Sequence, residues 1–559
     1  MTSTEASTAG RAISGRAAAP ARLTSLIGIG LQAYLRSRRR LLGDREYWRA
    51  NTARLQRLQL RRLLNTASGC EFGVAHGFGR IGRMPGEELL RAYRGEVPIA
   101  DWYAFKETIT RMREGGEPDL LWPGRVMDFA QTSGTTAGDK FIPVSKAMLR
   151  SNYRASLDIF SHLYRFGVPT SRLFGGKCLF LGGSSDLAVN EHGIRTGDLS
   201  GIVTPLIRWP LSEIYAPGKR IALMSHWPSK IEAMARACLE MDMRMISGMP
   251  SWAIVLFERV MQLDAERRGG NRRTIREIWP NLEVFVHGGV KYAPFGGRVR
   301  HAFSGAPDGD DIPTRFELYP ASEGFIAMQD TPGDPGLRLM CDTEIFYEFV
   351  PLEEIDRADA RAFSCDQVEK GQRYVVVMST CAGLWRYIIG DVVEFDTIPS
   401  RPDGVGGDGP CRLRIVGRHR HFINAFGENL IVEHIENAVA EASRETGVVV
   451  GEFTAAPVYP EGGRRGGLEL VVEVDREAFA RGSVRFAELF DAGLKSQCVD
   501  YATKRTDDLG MAAPTITPVP VGAFHRWLEA KGKLGGQHKC PRCANHREIV
   551  AGVLEAARA

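Results

Sequence analysis

Thr132-Ser-Gly-Thr-Thr-Ala-Gly-Asp-Lys140 places four hydroxyl side chains, two glycines and a lysine in nine consecutive residues, between an apolar stretch and Phe141-Ile-Pro-Val144. Glycines let the backbone turn its N–H groups inward, hydroxyls add donors and the lysine adds a cation, a combination suited to a polyphosphate. The spacing is not that of a Walker loop: Gly134 to Lys140 does not fit G-x4-G-K-[ST], and Phe141 stands where a magnesium-binding Ser or Thr would be. A surface turn is the other reading, because Gly, Ser and Thr are common in loops.

The apolar pattern around this loop sets the fold class. From Leu23 to Leu64 apolar residues recur at helical spacing with arginines between them, which predicts helices with a solvated arginine face. After about Met127 short β-branched or aromatic runs alternate with helical stretches. The predicted strands are Cys178–Leu181, Leu282–His287, Phe316–Tyr319, Ile345–Val350, Tyr374–Met378 and Val392–Phe395, each close to Gly, Ser or Asp. Such alternation predicts an α/β architecture, with room for antiparallel sections among the late strands. Arg401–Pro410 is a loop rich in Gly and Pro, and beyond it Ile431–Glu441 and Arg485–Lys495 read as helices, Val448–Phe453 and Leu468–Val474 as strands. The expected division is a disordered tail over 1–21, a large domain over 22–417 and a small α+β domain over 418–559.

Composition excludes several classes. Of 559 residues 44% are hydrophobic and 25% charged, the make-up of a globular chain rather than a disordered one. The formal charge of +5 conceals a split: residues 1–62 hold thirteen arginines against three acids, a net of +10, which leaves about −5 for the rest. A slightly acidic body gives no sign of a nucleic-acid groove. The longest charge-free apolar runs, Leu23–Leu35 and Met245–Phe257, are thirteen residues each, below the roughly 18 that span a bilayer. Ten scattered cysteines are unlike a disulfide scaffold and point to a reducing, cytoplasmic setting. Cys540 and Cys543, flanked by His538 and His546, could be half of a zinc site, but no second separated pair follows.

Two further motifs carry chemistry. In Glu317-Leu-Tyr-Pro-Ala-Ser-Glu-Gly324 a strand-end Tyr319 could stack on a ring and Glu323 could ligate magnesium; a packed tyrosine and a solvated glutamate is the plainer alternative. In Gly383-Leu-Trp-Arg-Tyr-Ile-Ile-Gly-Asp391 the Asp after Gly at a strand turn could accept from a ribose diol or simply close an Asx turn.

The three motifs in this order resemble the adenylate-forming superfamily, and more closely its Gretchen Hagen branch, the auxin-responsive acyl acid-amido synthetases. Thr132–Lys140 resembles the phosphate loop, Tyr319–Gly324 the Tyr-x-x-Ser-Glu element and Arg386–Val393 the Tyr-x-x-Gly-Asp-Val element. Ser247-Gly-Met-Pro-Ser-Trp252, His287-Gly-Gly-Val290, Gly417-Arg418, Phe422-Ile-Asn-Ala-Phe-Gly-Glu-Asn-Leu430 and Lys533-Leu-Gly-Gly-Gln-His-Lys-Cys-Pro-Arg542 extend the likeness, the last two towards bacterial-type members. Ile388 departs from the basic residue that many members carry after the Tyr.

The resemblance implies a large α/β adenylate-forming domain with mixed sheets and a small mobile α+β C-terminal lid. It implies an AMP-forming ligase that joins a small carboxylic acid to an amine, usually of an amino acid, using ATP and Mg²⁺. Ser133, Gly134, Thr135 and Thr136 would hold the β- and γ-phosphates, with Lys140 nearby; Gly288, Gly289, Val290 and Tyr319 would frame the adenine. Ser322 would face the α-phosphate, Glu323 would bind Mg²⁺ and Asp391 the ribose hydroxyls, with Arg418 at the hinge. Lys539 would swing in to neutralise the α-phosphate, so that Lys539, Glu323, Ser133 and Thr135 are the expected catalytic groups. An acyl-CoA synthetase shares the first half-reaction, and a catalytically silent nucleotide-binding protein is the other alternative. Trp252, Phe346 and Tyr347 are candidates for the acyl pocket or, equally, for core. No nucleic-acid partner is expected, and the oligomeric state is not legible.

Overall fold

The computed structural model describes residues 23–132, 140–182, 187–209, 211–289, 292–419, 422–428, 430–460, 465–508, 510–531 and 540–558. The arginine-rich segment forms three helices, Leu23–Tyr34, Arg36–Gly43 and Arg45–Ala67. Asp44 separates the last two and caps the third, its side chain accepting from the Tyr47 N–H at 2.8 Å. The third helix buries Trp48, Leu60, Leu63 and Leu64, spaced to form one face.

The arginines of this segment do not form a uniformly solvated face, which corrects the sequence reading. Arg36 and Arg40 are exposed. Arg38, however, donates to both oxygens of Asp158 at 2.8 and 2.5 Å and to Asp342 at 2.6 Å. Arg57 reaches Asp366 at 3.1 Å and Glu87 at 2.5 Å. The planar guanidinium fork suits such paired acceptors, so these side chains tie the first helices to acids far along the chain. Gln56 adds neutral ties, donating to the Cys341 and Ile345 carbonyls and accepting from the Tyr347 N–H.

The strands in chain order are β1 (Asp128–Thr132), β2 (Lys140–Pro143), β3 (Lys177–Phe180), β4 (Ala188–Val189), β5 (Arg195–Gly197), β6 (Tyr215–Ala216), β7 (Met243–Ser247), β8 (Val284–Gly288), β9 (Thr314–Ala321), β10 (Gly324–Gln329), β11 (Leu337–Leu339), β12 (Ile345–Pro351), β13 (Tyr374–Thr380), β14 (Tyr387–Thr397) and β15 (Arg412–Arg418). Eleven of them form one mixed sheet in the order β12-β13-β14-β15-β11-β10-β9-β8-β7-β3-β6. Strands β6, β3, β7, β8 and β9 run parallel, their crossovers carrying helices such as Pro250–Arg267 and Ala293–Ser304; from β9 to β12 every pairing is antiparallel. Strands β1, β2, β4 and β5 form a separate sheet. The α/β expectation holds, and each of the six predicted strands corresponds to an observed one within a few residues.

The antiparallel half is curled. Register shifts interrupt β10 between Phe325 and Ala327 and β14 between Ile388 and Val392, and such bulges bend a strand and increase its twist. Gly390 lies inside the second bulge with φ +95°, which a residue with a Cβ adopts poorly.

Towards the C-terminus the chain forms β16 (Phe422–Ile423), β17 (Leu430–Ile431), β18 (Phe453–Val458), β19 (Gly467–Glu473) and β20 (Thr515–Val519), the last three in one sheet beside the helices Val432–Thr446 and Arg476–Gln497. The strand expected over Val448–Phe453 begins only at Phe453. Gly447 ends the preceding helix in the left-handed conformation, and Val449 is 85% exposed, so the valine run is a linker despite its β propensity.

This C-terminal segment is joined to the large sheet by apolar and charged contacts. The Phe426 and Phe295 rings meet edge to face at 5.8 Å, and a Cβ on Gly427 would lie 2.7 Å from the Met249 methyl carbon. The buried Lys504 ammonium sits 4.3 Å above the Trp252 ring, and burial lowers its pKa. Glu428, fully buried, accepts from the Ala425 and Phe426 N–H groups at 3.1 and 2.6 Å, yet burial still pushes its carboxyl up to about 6. Among the described residues no helix is long and apolar enough to cross a membrane.

Two stability measurements test these contacts. Arg38→Met leaves the buried Asp158 carboxylate without its partner and is expected to lower the unfolding free energy by about 3 kcal/mol, with a large part recovered in Arg38→Met/Asp158→Asn; urea unfolding of the three proteins checks this. Because Glu428 holds its proton more tightly folded than unfolded, its contribution is full below pH 4.5 and is lost as pH rises towards 6. Compared with Glu428→Gln, the native protein is expected to lose roughly 2 kcal/mol across that window, and a parallel pH dependence in the two proteins would refute the assignment.

Candidate functional site

The best-defined polar cluster lies where the curled sheet brings distant strands together. Strand β9 delivers Tyr319 near its end, the turn Ser322-Glu323 follows, and β10 returns from Gly324. Gly324 has φ +143°, and a Cβ there would lie 2.5 Å from the Ile345 methyl carbon Cδ1, so the turn can press against the neighbouring strand only with glycine. Glu323 is 9% exposed rather than solvated.

Asp391 arrives from β14, separated from β9 in the sheet order by β15, β11 and β10. The Tyr319 hydroxyl nevertheless donates to Asp391 Oδ2 at 2.5 Å. Tyr319 is 4% and Asp391 8% exposed, so this charge-assisted bond is shielded from competing water. Asp391 lies within a bulged strand rather than at a strand turn, a correction to the sequence reading. Its register partner on β15 is Arg418, and the next residue, His419, donates its N–H to the Gly390 carbonyl at 3.0 Å.

Gly288 and Gly289 end β8 beside Tyr319, with Gly288 opposite Leu318 in register. A Cβ on Gly288 would lie 2.4 Å from the Leu318 carbonyl oxygen, and Gly289 has φ +82°. Two adjacent residues without side chains leave a flat shelf at the carboxyl ends of β8 and β9, the place where open α/β sheets take ligands. Lys140 opens β2 directly opposite Thr132, which ends β1, so the hydroxyl- and glycine-rich loop joins these two ends.

The structure thus brings together Gly288, Gly289, Tyr319, Ser322, Glu323 and Asp391, with the Arg418 backbone alongside. Ser133, Gly134, Thr135, Thr136, Val290 and Lys539 lie outside the described residues. Ser322 and Glu323 form an oxygen-only donor pair, the chemistry that Mg²⁺ takes. Phe346 and Tyr347 are completely buried, the Tyr347 hydroxyl bonded to the Phe325 carbonyl, and belong to the core rather than to an acyl pocket. Cys540 and Cys543 are buried thiols, each pushed up to about 12 by burial, and among the described residues no group of three or more His, Cys, Asp or Glu is arranged to hold a metal.

The sequence reading missed a group of charges beside this site. Lys230 donates to the Gly182 carbonyl at 3.2 Å and is brought down to about 8 by burial, which the Asp198 carboxylate only partly opposes. Asp198 also acts on Lys504, whose helix is about 300 residues away in sequence, so no local spacing could announce the group.

The sequence matches the GH3 family N-terminal domain over residues 43–209 and 196–307, the GH3 family central domain over 338–402 and the GH3 family C-terminal domain over 433–548. It is similar to the probable indole-3-acetic acid-amido synthetase GH3.1 of Arabidopsis thaliana, 22% identical over 536 residues that cover 82% of this chain and 84% of that one. The likeness to the indole-3-acetic acid-amido synthetase GH3.8 of Oryza sativa subsp. indica is 26% over 573 residues, covering 84% and 87%. In structure the chain resembles a GH3.15 acyl acid amido synthetase, with a TM-score of 0.53 at 16% identity over 91% of this chain and 94% of that one. In fold it also resembles a 2-hydroxyisobutyryl-CoA ligase, with a TM-score of 0.51 at 16% identity over 92% and 94%. With matches to all three domains running from residue 43 to residue 548, the chain belongs to the GH3 family.

Proposed function

We infer that this protein is an AMP-forming ligase that activates a small carboxylic acid as its adenylate and passes the acyl group to an amine, in the first place of an amino acid. The observation that carries the reading is the meeting of Tyr319 with Asp391, from strands far apart in sequence, with Glu323 in the turn after Tyr319 and the Gly288-Gly289 shelf on the adjoining strand. Family membership supplies the reaction class, since the relatives it matches are named as acid-amido synthetases.

A carboxylate resists attack by an amine because its oxygen is a poor leaving group. In the first step a carboxylate oxygen bonds to the α-phosphorus of ATP and the bond to the bridging oxygen breaks, releasing pyrophosphate. In the second the amine nitrogen bonds to the acyl carbon, AMP leaves, and the nitrogen gives up its proton. Neither step needs a nucleophilic side chain; both need anions held in line and their charge cancelled. The Gly288-Gly289 shelf, with Val290 following it in sequence, and the Tyr319 ring would frame the adenine. Asp391, oriented by the Tyr319 hydroxyl, would accept from the ribose hydroxyls. Ser133, Gly134, Thr135, Thr136 and Lys140 would hold the β- and γ-phosphates, and Ser322 would face the α-phosphate. Glu323 would hold Mg²⁺, which supplies charge cancellation on the phosphate oxygens when bound.

Residues 418–559 would act as a lid hinged near Gly417 and Arg418, carrying Lys539 to the α-phosphate and excluding water from the adenylate. The register of Arg418 with Asp391 supports a place for Arg418 beside the ribose. The ten cysteines are all buried free thiols, which supports a reducing, cytoplasmic setting.

Carboxylate-dependent ATP–pyrophosphate exchange over aryl, indolyl and fatty acids, followed by mass spectrometry with amino acids or CoA as acceptors, tests the reading. Exchange and amide products are expected; no exchange with any acid would refute it, and acyl-CoA without amides would move it to a thioester-forming ligase. Lys539→Ala is expected to slow exchange by roughly 100-fold or more with ATP affinity changed only a few-fold, because the charge acts mainly in the transition state. Equal losses in both would remove Lys539 from that role. Tyr319→Phe is expected to raise the KM for ATP about 5- to 10-fold, the effect of one charge-assisted hydrogen bond, with exchange at saturating ATP largely kept.

A further inference from the structure

A cleft of about 480 Å³ opens between the helix Arg45–Ala67, the segment before β1 and the first turn of the helix Lys146–Arg165. Arg62, Arg125, Lys146 and Arg150 line it, with Glu344 the one acid among its lining residues. All four cations are exposed, and among the described residues none of them makes an ion pair or a side-chain hydrogen bond. This sets them apart from Arg38, Arg57, Arg386 and Arg412, which pair with acids. Glu344 lies 3.4 Å from Arg154, on the rim, rather than in a pair with one of the four.

Four like charges around one concavity repel each other, and the concave shape concentrates their field. The N-terminal turn of a twenty-residue helix adds to the positive potential at the same place. Between the cations the nearly buried Trp122, Leu63 and Val126 supply apolar lining, beside the polar Gln59, Thr66 and Ser145. None of the lining residues belongs to the nucleotide site described above. The cleft opens beside the start of β1 and the end of β2, whereas Thr132 and Lys140, at the other ends of these strands, lie about 13 to 16 Å away by strand rise.

We propose that this cleft is a second anion-binding site, separate from the nucleotide site, for a small soluble organic anion that combines a dianionic phosphate or two carboxylates with an apolar body. The volume lies in the range of ordinary ligand sites. The cations supply the attraction for the anionic end, and the Trp122, Leu63 and Val126 walls select an apolar body over a bare inorganic ion.

Isothermal titration of the full chain with 1-naphthyl phosphate tests this, in the absence of ATP and with ATP saturating. One-to-one binding that persists under ATP is expected, with inorganic phosphate at least tenfold weaker. Arg125→Glu/Arg150→Glu is expected to weaken binding at least tenfold and Arg125→Ala/Arg150→Ala by a smaller factor, both with unchanged pyrophosphate exchange in the absence of the probe. The neutral pair keeps the test decisive if charge reversal impairs folding. Binding unaffected by either double substitution, binding displaced by ATP, or capture only on phosphatidic acid vesicles with no binding of the soluble probe would each overturn the proposal. Calorimetry reads the cleft without any substrate, so its failure is distinct from a failure of the ligase reading.

Discussion

The hydrogen bond from the Tyr319 hydroxyl to Asp391 sets the geometry on which the site depends. Three strands separate β9 from β14, and in a flat sheet four strand spacings amount to about 19 Å, further than the two side chains reach. The bond exists because the antiparallel half of the sheet curls, and the curl comes from bulges in β10 and β14 and from Gly390 at φ +95°. Inside the curl, Tyr347, Phe349, Tyr374 and Phe395 pack as core, so local irregularities in the strands are held by global burial. The consequence is electrostatic as well as geometric. Two carboxylates, Glu323 and Asp391, come to lie at less than one tenth exposure beside a shelf without side chains, where each placed charge acts more strongly than it would in water.

The same economy of placed charge explains the arginine-rich N-terminal segment. Its net +10 suggests an acidic partner only while the chain is treated as a string of charges. In the fold, Arg38 and Arg57 are directed inward to Asp158, Asp342, Asp366 and Glu87, and the Arg39 guanidinium lies 3.7 Å from the Tyr164 ring. Part of the apparent excess is therefore met by acids up to about 300 residues away, and the charge left to act outward sits on exposed positions such as Arg36, Arg40 and Arg62.

What could be read in the sequence was what short-range physics fixes. Runs such as Tyr374–Met378 and Ile345–Val350 are strands because their apolar β-branched and aromatic residues are buried on both faces, and the loop Arg401–Pro410 follows from its Gly and Pro content. Val448–Phe453 misled because propensity says nothing of burial: Gly447 had just ended a helix, and the chain needed several residues to reach β19. Asp391 after Gly390 has the local form of a turn, and only the pairing of the residues around it with β13 and of Asp391 itself with Arg418 on β15 makes it part of a bulged strand. The pairing of Tyr319 with Asp391, the bonds of Arg38 and Arg57 to Asp158, Asp342 and Asp366, and the stacking of Lys504 on Trp252 all join residues separated by more than 70 positions, for which a single sequence holds no signal.

The contact between the C-terminal segment and the helices Pro250–Arg267 and Ala293–Ser304 combines apolar rings with buried charged groups. An interface as apolar as Phe295 against Phe426 alone would favour permanent closure, because each exposed aromatic ring loses hydrophobic stabilisation. Lys504 and Glu428 work the other way: both are held where burial disfavours their charged forms, so exposure returns to each the solvation it lacks when closed. The apolar and polar contributions to this contact therefore oppose one another. The lid motion proposed above would then draw on the solvation of Lys504 and Glu428 rather than on strain of the backbone.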